Sequence, residues 1–128
     1  DSLIMFEEIQ ELAAEAKSCG LAVIIWSYAR GNMTKEGETA VDVVAYGAHM
    51  AALLGAHIIK VKLPTQHLEM PEAKNQYLDH HVKIDTLVDR VRHVKECCFN
   101  GRRLVVFSGG ETKRVQDVLE DAKAIKAG

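Results

Sequence analysis

Two lysines lie two positions apart in a short apolar segment, "GAHIIKVKLP", at residues 55 to 64. Alternate residues of a strand share a face, so Lys60 and Lys62 are predicted to project together. A buried lysine beside a second cation holds its proton less tightly, and a neutral amine attacks carbonyl carbons to form a Schiff base. The alternative is that both lysines are solvated charges that protect the edge of a sheet. The spacing alone favours neither interpretation.

Two other segments carry candidate functional residues. Trp26 and Tyr28 share a face at the end of an earlier apolar run, "LAVIIWSY". Aromatic residues in strands most often serve packing, but a phenol near a Schiff-base lysine can transfer protons. Ser108, Gly109 and Gly110 begin "SGGET", between a predicted strand and a predicted helix. Glycines at such a turn let backbone N–H groups approach a phosphate, although Gly-Gly is also ordinary turn chemistry.

Other kinds of site find little support. The chain has six histidines, but none forms an HxxxH or HxH pair, so no metal site is predicted. The sequence contains neither GxGxxG nor GxxxxGK[ST], the motifs of dinucleotide and P-loop nucleotide sites. The cysteines, Cys19, Cys97 and Cys98, are odd in number and form no CxxC pair. They indicate reduced thiols in a cytoplasmic protein.

Composition narrows the choice of partners. The chain has 128 residues, of which 48% are hydrophobic, as expected for one ordinary domain. A net charge of -2 and 5% aromatic residues argue against nucleic acid and against an anionic membrane surface. No apolar run is long enough to span a bilayer, and the first residues do not resemble a signal peptide. They resemble a helix already under way, which suggests a piece of a longer chain.

Helical and strand patterns alternate along the sequence, in the order α-β-α-β-α-β-α. This order indicates parallel strands with right-handed crossovers, either in an open doubly wound sheet or in part of a (β/α)8 barrel. In both folds the active site lies at the carboxyl ends of the strands. The last helix is predicted to bury Val115, Val118, Leu119 and Ala122. The predicted elements are helices at 2–19, 39–54, 84–98 and 112–125 and strands at 21–28, 57–63 and 102–107, with a polar stretch at 64–83.

Taken together, "WSYARG", "ETAVDVVAYGAHMAALLGAHIIKVKLP" and "SGGET" resemble the archaeal-type class I fructose-bisphosphate aldolases, including their bacterial members. The resemblance covers nearly the whole chain. It implies a (β/α)8 barrel, of which residues 1–128 would be a single partial domain. This part would contain about strands five to seven with their flanking helices.

The resemblance also implies a set of functional residues and partners. The substrate would be a phosphorylated sugar, and neither a cofactor nor a metal is needed, because the iminium serves as the electron sink. The full-length protein would form a homo-oligomer. Lys60 would be the Schiff-base lysine, Tyr28 would transfer protons, and Trp26 would line the substrate site. Ser108, Gly109 and Gly110 would bind a phosphate of the substrate. Lys62 would be the family's second lysine, and we assign it a role in charge and positioning.

Some parts of the family's site would lie outside this chain. These are an acidic residue of the first strand and a second phosphate-binding segment at the eighth. The isolated chain is therefore expected to lack aldolase activity. Two alternatives stay open: a related Schiff-base aldolase or thiolase-like enzyme on the same barrel, and a small non-catalytic α/β binding domain with both lysines on an exposed edge.

Overall fold

A computed structural model describes residues 2–108 and 113–128, which form helices around one parallel sheet. None of the helices in these ranges is long and apolar enough to cross a membrane. A one-turn 3-10 helix, Gly37–Thr39, precedes the second α-helix. The elements are α1 (Ser2–Ser18), β1 (Ile24–Trp26), α2 (Val41–Leu53), β2 (Ile58–Val61), α3 (Pro71–Asp79), α4 (Leu87–Cys97), β3 (Leu104–Phe107) and α5 (Val115–Ala127).

The sheet has the strand order β1-β2-β3, and both pairings are parallel. Trp26 lies beside Lys60 in the β1–β2 register, and Lys60 lies beside Val106 in the β2–β3 register. The strand that carries Lys60 is thus the central one. The interpretation of the lysines as guards of an edge strand is wrong, because β2 has a neighbour on each side.

One face of the sheet, called here the outer face, is packed against α2 and α4. Ile59 and Val61 of β2 are fully buried there. The small side chains of α2 let that helix approach the sheet closely, as predicted. A Cβ added at Gly47 would lie 2.7 Å from Ser27 Oγ, so only glycine fits there without a shift. The buried core comprises Val44, Ala45, Ala48, Ala51, Ala52, Ala56, Ile59, Val61, Val94 and Cys98.

The opposite face of the sheet, the inner face, is open. Trp26, Leu104 and Val106 are 65%, 67% and 45% exposed, and no described element covers them. In a closed (β/α)8 barrel the corresponding side chains fill the interior in layers. Apolar residues at these positions therefore suit a barrel lumen rather than a solvent-facing sheet.

The strands are shorter than predicted, and at the amino end of the β1–β2 pairing a histidine side chain replaces a backbone acceptor. The Val23 N–H donates to His57 Nδ1 at 2.9 Å, and the His57 N–H donates to the Val23 carbonyl at 2.9 Å. The imidazole thus takes the place of a backbone acceptor at the amino end of the sheet. A hydrogen bond from the backbone to a side chain leaves no apolar pattern in the sequence, so it could not be predicted from periodicity.

The polar stretch after β2 contains a helix, α3, that the periodicity did not predict. None of its residues is buried, so it has no apolar stripe. Its amino end is fixed by the buried carboxylate of Asp42, which accepts the backbone N–H groups of Glu69 at 3.1 Å and Met70 at 2.8 Å. Its carboxyl-terminal half is held by Tyr77, whose hydroxyl lies 2.8 Å from Nε2 of His93 on α4.

The fourth helix begins three residues later than predicted, because a capping box fixes its start. Thr86 Oγ1 accepts the Asp89 N–H at 3.1 Å, while the Asp89 carboxylate accepts the Thr86 N–H at 3.1 Å. The hydrogen bonds with Thr86 hold the pKa of the Asp89 carboxyl below its usual value. Val91 and Val94 are fully buried, as their spacing predicted.

The inward face predicted for α5 is wrong. Val115 is 78% exposed, Val118 and Leu119 are each 51% exposed, and Ala122 is exposed. The helix packs on α4 through a different face. At its carboxyl end, Gly128 lies so close to α4 that an added Cβ would be 2.6 Å from the Val88 carbonyl oxygen. The periodicity identified an apolar stripe correctly, but no described element covers it.

Candidate active site

Lys60 lies at the centre of the sheet, with its side chain on the inner face. Its Nζ is 3.8 Å from the centroid of the Trp26 ring. An ammonium over an exposed indole gains about 0.5–1 kcal/mol. Among the described residues, no carboxylate lies within salt-bridge distance of Lys60. Its amine is therefore held by an aromatic face, which orients it without supplying a full negative charge.

Tyr28 follows β1 by two residues and stays close to the same indole. The Trp26 and Tyr28 rings have centroids 6.2 Å apart, with planes inclined at 48°. Between them, the Ser27 N–H donates to the Lys60 carbonyl at 2.8 Å and continues the ladder by one residue. The structure thus places Lys60 and Tyr28, both predicted from the sequence, next to the Trp26 indole at the carboxyl end of β1.

Lys62 has a different partner, Glu38 of the 3-10 turn. Its Nζ donates to Glu38 Oε2 at 2.7 Å, and the two side chains are only 18% and 21% exposed. This hydrogen bond is the main cause that holds the pKa of the Glu38 carboxyl below its usual value, and the charges of Arg30 and Lys35 assist it. Sequence reasoning missed Glu38, one of two acids in "GNMTKEGET", a segment that also contains Lys35.

A cleft of about 490 Å³ lies between α1 and α2 at the carboxyl end of β1. Tyr28, Arg30, Glu38 and Lys62 supply most of its polar lining, and the rest comes from α1, α2, β1 and the loop after β1, including Trp26. Lys60 does not line this cleft, although Trp26, which lies against its amine, does. The predicted site residues therefore fall into two groups, and Trp26 and Tyr28 lie between them.

The predicted phosphate turn is described only in part. The Ser108 N–H donates to the Val61 carbonyl at 2.9 Å, so Ser108 directly follows β3 at the carboxyl end of the sheet. The Ser108 hydroxyl oxygen is buried, and it forms no hydrogen bond with any described group. Gly109 and Gly110 lie outside the described residues, so their role in binding phosphate stays a prediction.

The other metal-binding and nucleophilic groups that the structure describes do not form a competing site. Within residues 2–108 and 113–128, no three His, Cys, Asp or Glu side chains are arranged to hold a metal ion. Burial raises the pKa of Cys98 to about 11 and also raises that of Cys97. Both thiols therefore stay protonated at neutral pH and are poor nucleophiles.

The lysine, the indole and the phenol thus lie near the carboxyl ends of parallel strands, where barrel enzymes carry their active sites. The sequence model of the DeoC/LacD family aldolases matches residues 1–128. The chain belongs to this aldolase family.

Relatives of known name support the same placement. A class 1 fructose-bisphosphate aldolase of Halobacterium salinarum is 33% identical over 125 residues, which are 97% of this chain and 38% of that protein. A fructose-bisphosphate aldolase/6-deoxy-5-ketofructose 1-phosphate synthase of Methanocaldococcus jannaschii is 46% identical over 61 residues, covering 48% of this chain and 19% of that protein. The chain thus spans well under half the length of these relatives.

Solved structures extend the likeness to the fold. An archaeal fructose 1,6-bisphosphate aldolase superposes with a TM-score of 0.69 at 27% identity, over 98% of this chain and 40% of that one. A second archaeal aldolase, with its catalytic lysine bound to the carbinolamine intermediate of the substrate, gives a TM-score of 0.69 at 25% identity, over 98% of this chain and 41% of that one. The prediction that the sheet is part of a (β/α)8 barrel is confirmed.

Proposed function

We propose that this chain is part of a class I fructose-bisphosphate aldolase, which cleaves fructose 1,6-bisphosphate to dihydroxyacetone phosphate and glyceraldehyde 3-phosphate through a Schiff base. The observation that carries the proposal is the position of Lys60. It is on the central strand of a sheet that superposes on an aldolase whose catalytic lysine is covalently bound to a carbinolamine. The Trp26 ring orients its amine.

In the proposed reaction, the lone pair of neutral Lys60 Nζ attacks the ketone carbon of the substrate. The carbinolamine loses water and becomes an iminium. The C4 hydroxyl then loses its proton, and the electrons of the C3–C4 bond move toward the iminium nitrogen, giving an enamine and releasing glyceraldehyde 3-phosphate. A proton returns to C3, and water hydrolyses the iminium to release dihydroxyacetone phosphate and restore the amine.

The neighbouring residues take supporting roles in this proposal. Tyr28 transfers protons as the enamine forms or is reprotonated, because its phenol lies against the same indole that holds Lys60. Trp26 lines the sugar site. Lys62 supplies a positive charge, and Ser108 leads into the turn that binds a phosphate.

Borohydride trapping tests the proposal. The purified chain is incubated with dihydroxyacetone phosphate and borohydride, and the adduct is located by peptide mass mapping. We expect the adduct on Lys60 and at least a tenfold loss of trapping in Lys60→Met, with Lys123→Met, at an exposed lysine of α5, as the matched control. Adduct on Lys62 would reverse the assignment of the two lysines. Equal adduct on all lysines would overturn the proposal.

A complete catalytic cycle is not expected from residues 1–128 as a single partial domain. The chain covers 40% of the archaeal aldolase structure, so other parts of the barrel must contribute to the full site. Cleavage of fructose 1,6-bisphosphate by the 128-residue chain alone would contradict this expectation. The homo-oligomeric state and the cytoplasmic localisation that the sequence suggested stay predictions.

A second candidate is a related Schiff-base reaction on phosphorylated sugars. The Methanocaldococcus relative carries the name of a synthase beside that of an aldolase. Both reactions would use the same lysine, so trapping cannot distinguish them. A protein with the complete barrel would distinguish them by the fate of the three-carbon unit, which the aldolase releases as dihydroxyacetone phosphate and a synthase joins to another aldehyde.

A further inference from the structure

Lys60 on β2 and Lys62, which directly follows β2, have partners of opposite kinds. Lys60 lies against an uncharged indole at 3.8 Å, whereas Lys62 donates a hydrogen bond of 2.7 Å to the Glu38 carboxylate. Both lysines flank Val61, so each is one residue from the same point of the chain. A carbonyl compound that reaches this end of the sheet meets two primary amines, of which the proposed reaction uses one.

Glu38 is held in place by the turn that carries it. The Glu38 N–H donates to the Thr34 carbonyl at 3.1 Å, and the Thr65 N–H, from the loop after β2, donates to the Thr39 carbonyl at 2.8 Å. A Cβ at Gly37 would lie 2.6 Å from the carboxyl carbon of Glu69, so the two loops are in close contact. The carboxylate therefore meets Lys62 from a fixed backbone rather than from a mobile loop.

Only a neutral amine attacks a carbonyl carbon, and a hydrogen-bonded carboxylate favours the charged form of its lysine. We infer that Glu38 is a positioning residue that directs Schiff-base formation to Lys60 by engaging the Nζ of Lys62 in a hydrogen-bonded ion pair. The inference rests on the proposed function for its biological meaning. Its chemistry, the relative reactivity of two amines, can be measured without any aldolase activity.

Reductive methylation with formaldehyde and cyanoborohydride measures this reactivity directly. The amine adds to the aldehyde carbon, water leaves, and hydride from the cyanoborohydride reduces the iminium to a methylamine. Peptide mass mapping at short reaction times gives the rates at Lys60 and Lys62, with exposed Lys123 as an internal reference. We expect Lys60 to react faster than Lys62 at neutral pH.

Glu38→Gln is the informative variant, because it keeps the shape and a hydrogen-bond acceptor but removes the charge. We expect the Lys60-to-Lys62 rate ratio to fall at least threefold, through faster reaction of Lys62. Glu36→Gln is the matched control, since Glu36 belongs to the same loop, is 73% exposed and does not pair with Lys62. Its ratio should equal that of the unchanged protein, and Glu38→Asp should restore most of the selectivity.

An unchanged ratio in Glu38→Gln would overturn the inference, and so would an equal fall in Glu36→Gln. If Glu38→Gln unfolds, circular dichroism will show it. Glu38→Asp then tests the inference, which requires the Lys60-to-Lys62 rate ratio to be kept in that variant. Failure of the proposed function is separate: dihydroxyacetone phosphate would then give no adduct on Lys60 in the unchanged protein, while the methylation ratio could still respond to Glu38.

Discussion

The two faces of the sheet use similar side chains in opposite environments. Ile59 and Val61 on the outer face are 0% exposed, whereas Trp26 and Leu104 on the inner face are 65% and 67% exposed. Residues one apart on a strand are thus separated into a packed layer and an open one. Stability should therefore come mainly from the outer face, while Lys60 lies on the inner face, where it can meet a substrate.

The same substitution on each face gives the largest expected contrast. Ile59→Ala removes fully buried atoms from the core and should lower the free energy of unfolding by about 2–5 kcal/mol. Ile24→Ala deletes the same atoms at a position that is 54% exposed, and should cost less than about 1 kcal/mol. Urea unfolding followed by circular dichroism measures both. Equal costs would mean that the inner face is packed as tightly as the outer one.

The sequence predicted the parts of the fold that depend on periodic burial. The β-α alternation, the parallel sheet and the buried faces of α2 and α4 follow from apolar residues at strand and helix spacing. Strand parity also placed Lys60 beside Trp26. These features were predictable because local pattern and tertiary packing agree in them.

Features that depend on single polar contacts were not predictable. Helix α3 is fixed by Asp42 of α2 and by His93 of α4, which contacts Tyr77 of α3. Partners on other elements leave no apolar stripe in the sequence of α3. Glu38 meets Lys62 only because the loop before α2 folds onto the loop after β2. The α5 error has the opposite cause, since an apolar stripe was present without a described partner to cover it.

Protonation of His93, on α4, should lower the free energy of unfolding. Burial lowers the pKa of His93, with partial opposition from Glu96, while in the unfolded chain the pKa stays near 6.5. The unfolded state therefore binds more protons as the pH falls below about 6.5, and stability should fall, by at most about 1.4 kcal/mol per pH unit for one proton. Above this pH the contribution is fully present.

Unfolding free energies measured between about pH 5 and 8 test this linkage. His93→Gln should flatten the acid limb, because it removes the half-buried imidazole whose Nε2 lies 2.8 Å from the Tyr77 hydroxyl and whose pKa burial lowers. His80→Gln is the matched control, since His80 is exposed. An acid limb that is the same in both variants would assign the loss of stability to other groups.

Trp26→Ala gives the smallest expected effect and the most direct test of the inner face. Tryptophan is a larger side chain than isoleucine, yet Trp26 is 65% exposed and gains mainly from Lys60 and Tyr28. Its loss should cost about 0.5–1 kcal/mol, well below the cost of Ile59→Ala. Trp26→Phe keeps an aromatic face and should cost less still. If Trp26→Ala destabilised the chain as strongly as Ile59→Ala in the same urea experiment, the indole would have to be buried by a contact on the inner face, and the contrast between the two faces would fail.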